Sequence, residues 1–347
     1  MSGLMIHLMM AHKINPNGGA LFYVGNVAPD AVSYWKDKDI THFRNLEDRQ
    51  DALDQLAHKT EPSDAFAEGM LMHLFLDWKW DKKARDTFIS KTKDDWFPKY
   101  RSEISKASSY AYHHTDWAKD VWDMMSACDP SEYSAITGAT AEECKDLIER
   151  NYKWHRENKT RRSKAFPPKF VDEFIKQTVE EYTEWKVAHE IKYYNSLPVV
   201  FNGFLDVPIL TDEEIEVVCV VTKNGVPEKK WVPSYEFEIR LNRQPIGKVS
   251  FRVGYNENLY YGGQIGYSIS KPFRGNHYAE KACRLIAPLI RAHGMDKVVI
   301  TNNYTNIASK RTCENLGAKL IRVVPLPEWH DIYIEGQRFV NIFEWHP

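Results

Sequence analysis

The apolar residues of this chain change their period once, near Asn195-Ser196-Leu197-Pro198, and that change confines it to two domains of different class. Before it, tryptophan and tyrosine are frequent, β-branched runs are scarce, and apolar residues recur at helical spacing. Ser63, after Pro62, is the expected N-cap of a long helix whose apolar face holds Phe66, Met70 and Leu74. A second long helix follows Pro167-Pro168, with Phe170, Phe174, Ile175 or Val179, Tyr182 and Trp185 at helical intervals. After the change, short β-rich runs appear at Val217–Val221, Tyr235–Leu241, Lys248–Val253 and Ile265–Ile269. Helix and strand then alternate. A helix starts at His277, a strand covers Lys297–Thr301, a helix Ile307–Leu316, and strands Lys319–Val324 and Phe339–Trp345. The expectation is an all-α domain over 1–195 and an α/β domain over 196–347.

With 347 residues, each half is long enough to bury its own core. A net charge of −2 gives no electrostatic reason to expect nucleic acid as a partner. No window reaches the roughly 20 uncharged apolar residues of a membrane helix, so no membrane span is expected. The five cysteines, Cys128, Cys144, Cys219, Cys283 and Cys313, are odd in number and form no CxxC, which argues against a disulfide framework. Residues Met1 to His7 show neither a basic leader nor a small-residue cleavage site, and the expected location is cytoplasmic.

Arg274-Gly275-Asn276-His277-Tyr278-Ala279 falls where a strand hands over to a helix N-terminus. Unpaired N–H groups and the helix dipole there favour a pyrophosphate, which points to a nucleotide-type cofactor and an enzyme. The stretch from Gly266 to Ala279 resembles the fourth strand and phosphate loop of the GNAT-type N-acetyltransferase superfamily. Lys297–Thr301 then resembles its fifth strand, and Asn306 to Ala318 its following helix and terminating glycine. The resemblance is specific over Gly263–Val324 and extends from about Ile209. The family loop runs Arg/Gln-x-x-Gly-x-Gly/Ala. Arg274 takes its first place and Ala279 its last, but His277 stands where the middle glycine is usual.

That resemblance implies a mixed central sheet and acetyl-CoA as cosubstrate, bound through Ile269, Arg274, Gly275, Asn276, His277, Tyr278, Ala279, Asn306 and Ser309. It also implies direct attack of an amine acceptor on the thioester, whose carbonyl oxygen is held by a backbone N–H at the splay after Ile269. Cys313 lies four residues before Gly317, where many members carry a tyrosine that protonates the departing thiolate. A thiol with a pKa of ~8.5 can do this; the alternative is a small buried helix residue. Glu238 and Glu257 are candidate general bases by type only, with a water chain as the alternative. Small amine, antibiotic, protein N-terminus and lysine all stay open as acceptors. Pro288, inside the helix after the loop, is expected to kink or end it, at ~3 kcal/mol otherwise.

In the amino-terminal half, Gly69, His73, Asp77 and Asp81 fall four apart on one drifting line of a helix. Gly69 leaves room for another element, while His73 and Asp77 present nitrogen and oxygen suited to zinc or another divalent ion. His7, Gly25-Asn26-x-x-Pro29-Asp30, Thr41-His42-Phe43 and the His73/Asp77 pair follow the order seen in the zinc-dependent phospholipase C family and its nuclease relatives. The resemblance covers about Ile6 to Asp81 and implies an all-helical fold with His7, Asp30, His42, His73 and Asp77 as metal ligands. Asp81 stands where relatives often have histidine, and His114 or Asp116 are candidates for a second ion's shell. One or two ions are expected rather than three. The chemistry implied is metal-assisted phosphoester hydrolysis. Three readings follow: an acetyltransferase fused to such a domain, the hydrolase as the principal activity, or a helical domain that only binds.

Overall fold

Helices carry the amino-terminal half of the computed structural model, which describes residues 3–32, 34–92, 94–133 and 138–347. They are α1 (Leu4–Ile14), α2 (Ala20–Val27), α3 (Trp35–Thr41), α4 (Arg49–Lys59), α5 (Ala65–Trp80), α6 (Asp86–Thr92), α7 (Trp96–His113), α8 (Ala118–Ala127), α9 (Ala141–Glu157) and α10 (Pro168–Asn195). No strand occurs among the described residues of this half. Helix α5 is apolar around nearly its whole circumference and is therefore the buried axis of the core. Its cap is Asp64, whose Oδ1 accepts from Ala67 N at 3.0 Å, one residue later than the expected Ser63. Below it, Asp81–Arg85 forms a π-helical turn before α6.

Two glycines set the closest approach in this unit. A Cβ on Gly25 of α2 would lie 2.0 Å from Phe66 O, and one on Gly69 of α5 would lie 2.1 Å from Phe22 O. Only glycine at both places lets α2 and α5 touch backbone to backbone. That contact brings Asn26 O to His73 Nδ1 and Asn26 Nδ2 to Gly69 O, at 2.7 and 3.2 Å.

The second half contains β1 (Leu210–Thr211), β2 (Ile215–Lys223), β3 (Ser234–Leu241), β4 (Gln244–Arg252), α11 (Glu257–Gly262), β5 (Ile265–Ile269), α12 (Tyr278–Ala292), β6 (Val298–Asn303), α13 (Ile307–Leu316), β7 (Lys319–Pro325), α14 (Asp331–Ile334) and β8 (Phe339–Trp345). They build one mixed sheet in the order β1-β2-β3-β4-β5-β6-β8-β7, antiparallel except for β5 and β6. The β3–β4 hairpin turns at Asn242 and Arg243, both at positive φ, as a two-residue turn matched to strand twist requires. Tyr235, Phe237, Ile239, Val249 and Phe251 alternate into a core covered by α12. Pro288 does not end α12: it sits on the exposed side one turn before Ala292, where the carbonyl it disturbs can turn to water.

The chain divides into two compact units, Met1–Glu190 and Ile191–Pro347. The division lies within the last turns of α10, a few residues before the change of period. Among the described residues, no helix is long and apolar enough to cross a membrane.

Candidate active site and candidate metal centre

Strands β5 and β6 pair at one register, Ile265↔Ile300, and diverge beyond it. The cleft between them holds about 250 Å³ and is lined by Gly266, Tyr267, Thr301, Asn302, Asn306 and Ser309, among others. At the end of β5, Ser270 N–H donates to Ile246 O at 2.8 Å. Successive strand amides point to opposite edges, so the Ile269 N–H faces the side that β6 has left.

After one short turn at Lys271–Phe273 the chain enters α12. Among the described residues, the N–H groups of Gly275 to Glu280 find no acceptor within the chain. Gly275 (φ +88°) and His277 (φ +59°) both lie in the left-handed region. His277 thus adopts the backbone conformation that glycine would supply, and the departure from the family pattern lies in the side chain. Its ring is mostly exposed, with Nδ1 at 3.2 Å from Asn315 Nδ2 and 3.3 Å from Glu280 Oε2. Arg274 turns back and donates from Nε to Ile269 O at 2.9 Å. Asn276 Nδ2 donates to Phe273 O at 3.2 Å. Tyr278 and Ala279 open the helix, and Asn306 caps α13 by accepting from Ser309 N at 3.1 Å.

Cys313 is fully buried, and burial pushes its thiol up to about 11. Its Sγ lies 3.6 Å from both Tyr267 Oη and Asn302 Nδ2. Tyr267 Oη in turn lies 2.9 Å from Ser309 Oγ, and burial raises its own pKa far above the usual tyrosine range. The two hydroxyls line the cleft while the thiol stands behind them. Sequence reasoning missed Tyr267, although its place between Ile265 and Ile269 at period two marks it as facing the same way. Glu238 is held by Arg240 at 2.7 Å and Glu257 lies 3.7 Å from Lys230; neither lines the cleft.

In the helical unit, four elements bring His7 (α1), Asp30 (the turn after α2), His42 (the end of α3), His73 and Asp77 (α5) together, all of them buried. Donor atoms of His7, Asp30 and His73, and of His42, His73 and Asp77, lie within 4.8 Å of one another. His7 Nε2 is 3.3 Å from Asp77 Oδ1, and His42 Nε2 is 3.5 Å from Asp77 Oδ2 and 3.6 Å from Asp30 Oδ1. The rings of His7 and His73 stack with centroids 3.7 Å apart. Burial holds His42 down to about 4 and His73 well below 6.5, so neither is charged near neutrality. Burial alone would raise Asp30, but Lys38, His73 and His42 bring it far below the usual carboxylate range.

The donor set fits a cation. His73 Nδ1 is 2.7 Å from Asn26 O and His42 Nδ1 is 2.7 Å from Lys38 O. A carbonyl only accepts, so both Nδ1 atoms carry the proton and both Nε2 atoms present bare lone pairs. Those lone pairs face each other at 3.0 Å, an arrangement that a cation between them would turn from repulsive to attractive. Asp81 does not join the set. Its carboxylate is held by Arg44 at 2.8 Å, Arg49 at 2.9 Å and Arg85 at 3.2 Å, and Arg44 also reaches Asp77 at 2.8 Å. His114 and Asp116 are exposed and outside the cluster.

Residues 211–319 match the family model described as an acetyltransferase (GNAT) domain. No curated protein matches the chain. Among solved structures, the microcin C7 self-immunity acetyltransferase MccE, in complex with acetyl-CoA and AMP, is 19% identical over 33% of this chain and 61% of its own, with a TM-score of 0.27. The chain thus spans about three fifths of that protein. The ribosomal L7/L12 α-N-protein acetyltransferase RimL, in complex with coenzyme A, is 13% identical over 40% of this chain and 98% of its own, with a TM-score of 0.31. A ribosomal-protein-S5-alanine acetyltransferase from Vibrio fischeri is 17% identical over 33% of this chain and 61% of its own, with a TM-score of 0.27. Over residues 211–319 the carboxy-terminal unit is an acetyltransferase domain of the GNAT type.

Proposed function

We propose that the carboxy-terminal unit moves an acetyl group from acetyl-CoA to an amine. The observation that carries this is the run of unpaired amides from Gly275 to Glu280 at the start of α12, following a strand whose edge its neighbour has left open. The amides and the positive helix end hold the pyrophosphate, with Arg274, Asn276, His277, Tyr278 and Ala279 around it. The Ile269 N–H receives the thioester oxygen. The amine attacks the carbonyl carbon, the C–S bond breaks, and the thiolate leaves with a proton from the Ser309–Tyr267 hydroxyl pair. The proton lost by the amine replaces it through water. Cys313 stands one contact farther back and supports Tyr267. Calorimetry tests the reading: one acetyl-CoA per chain is expected, and failure of both acetyl-CoA and CoA to bind sinks it.

A second reading, of the helical unit, rests on the facing lone pairs of His42 and His73. His7, Asp30, His42, His73 and Asp77 would hold one zinc or other divalent ion. When bound, the ion supplies Lewis acidity and a water of lowered pKa for phosphoester hydrolysis. Arg44, Arg49 and Arg85 already neutralise Asp81, so a single ion suffices. Elemental analysis should find about one ion per chain, lost in the double variant His73→Ala, Asp77→Ala. Protein that neither retains nor takes up a divalent ion leaves the helical unit as a binding module.

A further inference from the structure

Two cavities of the carboxy-terminal unit meet at one guanidinium. The cleft between β5 and β6 and a larger hollow of about 850 Å³ share Arg252, Gly262 and Ile332 in their walls. Arg252 ends β4. Val249 and Phe251 of that strand are buried in the core, so alternation turns Ser250 and Arg252 to the opposite face.

Charge is unbalanced at this point. In the larger hollow Lys223, Lys229 and Lys230 stand against Glu228, Glu236 and Asp331, and Arg252 is the excess cation. In the cleft Arg252 is the single charged side chain among the described residues of the wall. Of its five N–H donors, one is used among the described residues, Nη1 to Gly263 O at 3.3 Å. Glu236, the carboxylate that acts on it most, is paired with Lys223. Burial disfavours the charged guanidinium, and Glu236 offsets this only in part. A partly desolvated cation with idle donors, facing on its β5–β6 side a cleft whose described wall has no carboxylate, calls for an anion from the ligand.

We propose that Arg252 selects the acceptor by binding a carboxylate or phosphate carried near its amine. The inference rests on the acetyltransferase reading. Aliphatic amines without an anionic group, and amines flanked by cations, are then poor acceptors. Chemistry remains that of the cleft, and Arg252 acts on acceptor binding.

The test uses the full chain with amidated tetrapeptides bearing free N-termini, in matched pairs. Glutamate replaces glutamine, and phosphoserine replaces serine, at each of the first three positions. Acetyl transfer is followed by CoA release, and binding to the CoA-loaded enzyme by calorimetry. At the favoured position the acidic member should win by about tenfold in kcat/KM, through KM, as expected of one charge-assisted hydrogen bond. The glutamate and phosphoserine arms tell carboxylate from phosphate. Arg252→Met should bring the pair within about twofold while leaving acetyl-CoA affinity unchanged, and Arg252→Lys should keep part of the preference. Acidic and amide peptides that bind and react alike in the wild type overturn the proposal, as does a preference that survives Arg252→Met. Absence of acetyl-CoA binding overturns the transferase reading itself, and this inference with it.

Discussion

The cluster in the helical unit is made of side chains, and the cleft in the carboxy-terminal unit is made largely of backbone. His7, His42, His73 and Asp77 are fully buried and crowd like donors together, so that site carries its electrostatic tension in the folded state before any ligand arrives. At the cleft the tension is smaller and local: one left-handed histidine, a row of open amides and one arginine whose desolvation Glu236 offsets only in part. A site of side chains depends on packing across several helices, whereas a site of backbone depends on one strand–loop–helix connection. The two should therefore fail under different substitutions.

The largest effect is expected where packing positions the cluster. Gly25→Val puts methyl groups where Phe66 O lies 2.0 Å from the first added carbon, and backbone cannot yield as a side chain would. Overpacking of this kind costs about 3 kcal/mol or more. Urea unfolding followed by tryptophan fluorescence should show the helical unit destabilised by that amount, with acetyl-CoA affinity retained. A variant as stable as the wild type would break the link between the α2–α5 contact and the cluster.

Burial and cation binding can be separated at His155, another deeply buried imidazole, on which no carboxylate acts among the described residues. It packs on Tyr112 and Trp122, and burial lowers its pKa to about 4. The unfolded chain takes up this proton near 6.5 and the folded one near 4. Stability is therefore complete above 6.5, falls as pH drops through that window, and levels off below 4. The loss attributable to this group is on the order of 3 kcal/mol. His155→Phe should flatten that part of the acid-unfolding profile. If the profile keeps its full slope, burial at His155 is not the source of acid sensitivity.

At the cleft, Ser309→Ala should lower kcat about tenfold or more, a typical share for a positioned proton donor, with acetyl-CoA binding little changed. Cys313→Ala should leave kcat within about threefold and cost about 1 kcal/mol of stability, as a small buried side chain does. A larger kinetic loss at Cys313 than at Ser309 reverses the assignment of the proton donor.

Most of the fold was legible because period and punctuation agreed. Strands β2 to β8 lie within a few residues of the β-rich runs, and α13 runs from Ile307 to Leu316 as its Asn306 cap and Gly317 stop dictate. The short elements β1, α11 and α14 were not legible, since so few residues show no period. Of the cluster residues, helical spacing named His73 and Asp77, and His7, Asp30 and His42 were named by the family resemblance alone; the five lie close together. Asp81 escaped because its role depends on Arg44 and Arg49, which reach it from other segments. Arg252 and Tyr267 escaped for the same reason. A strand residue's neighbours across the sheet are set by register, which no local pattern announces.

The smallest effect probes the one place where the loop departs from the family pattern. An L residue in the left-handed region costs about 1 kcal/mol relative to glycine, less for residues whose side chains bond locally. His277 Nδ1 has one such bond at a time, donated to Glu280 or accepted from Asn315 according to its tautomer, and it is exposed and worth little. His277→Gly should therefore stabilise the carboxy-terminal unit by about 0.5–1 kcal/mol, raising its melting temperature by a few degrees. Because the backbone already has the glycine conformation, the amides stay where they are, and acetyl-CoA affinity should be the same or slightly higher. Weaker binding would mean that the imidazole itself touches the cofactor, and a site described as backbone would then rest on a side chain after all.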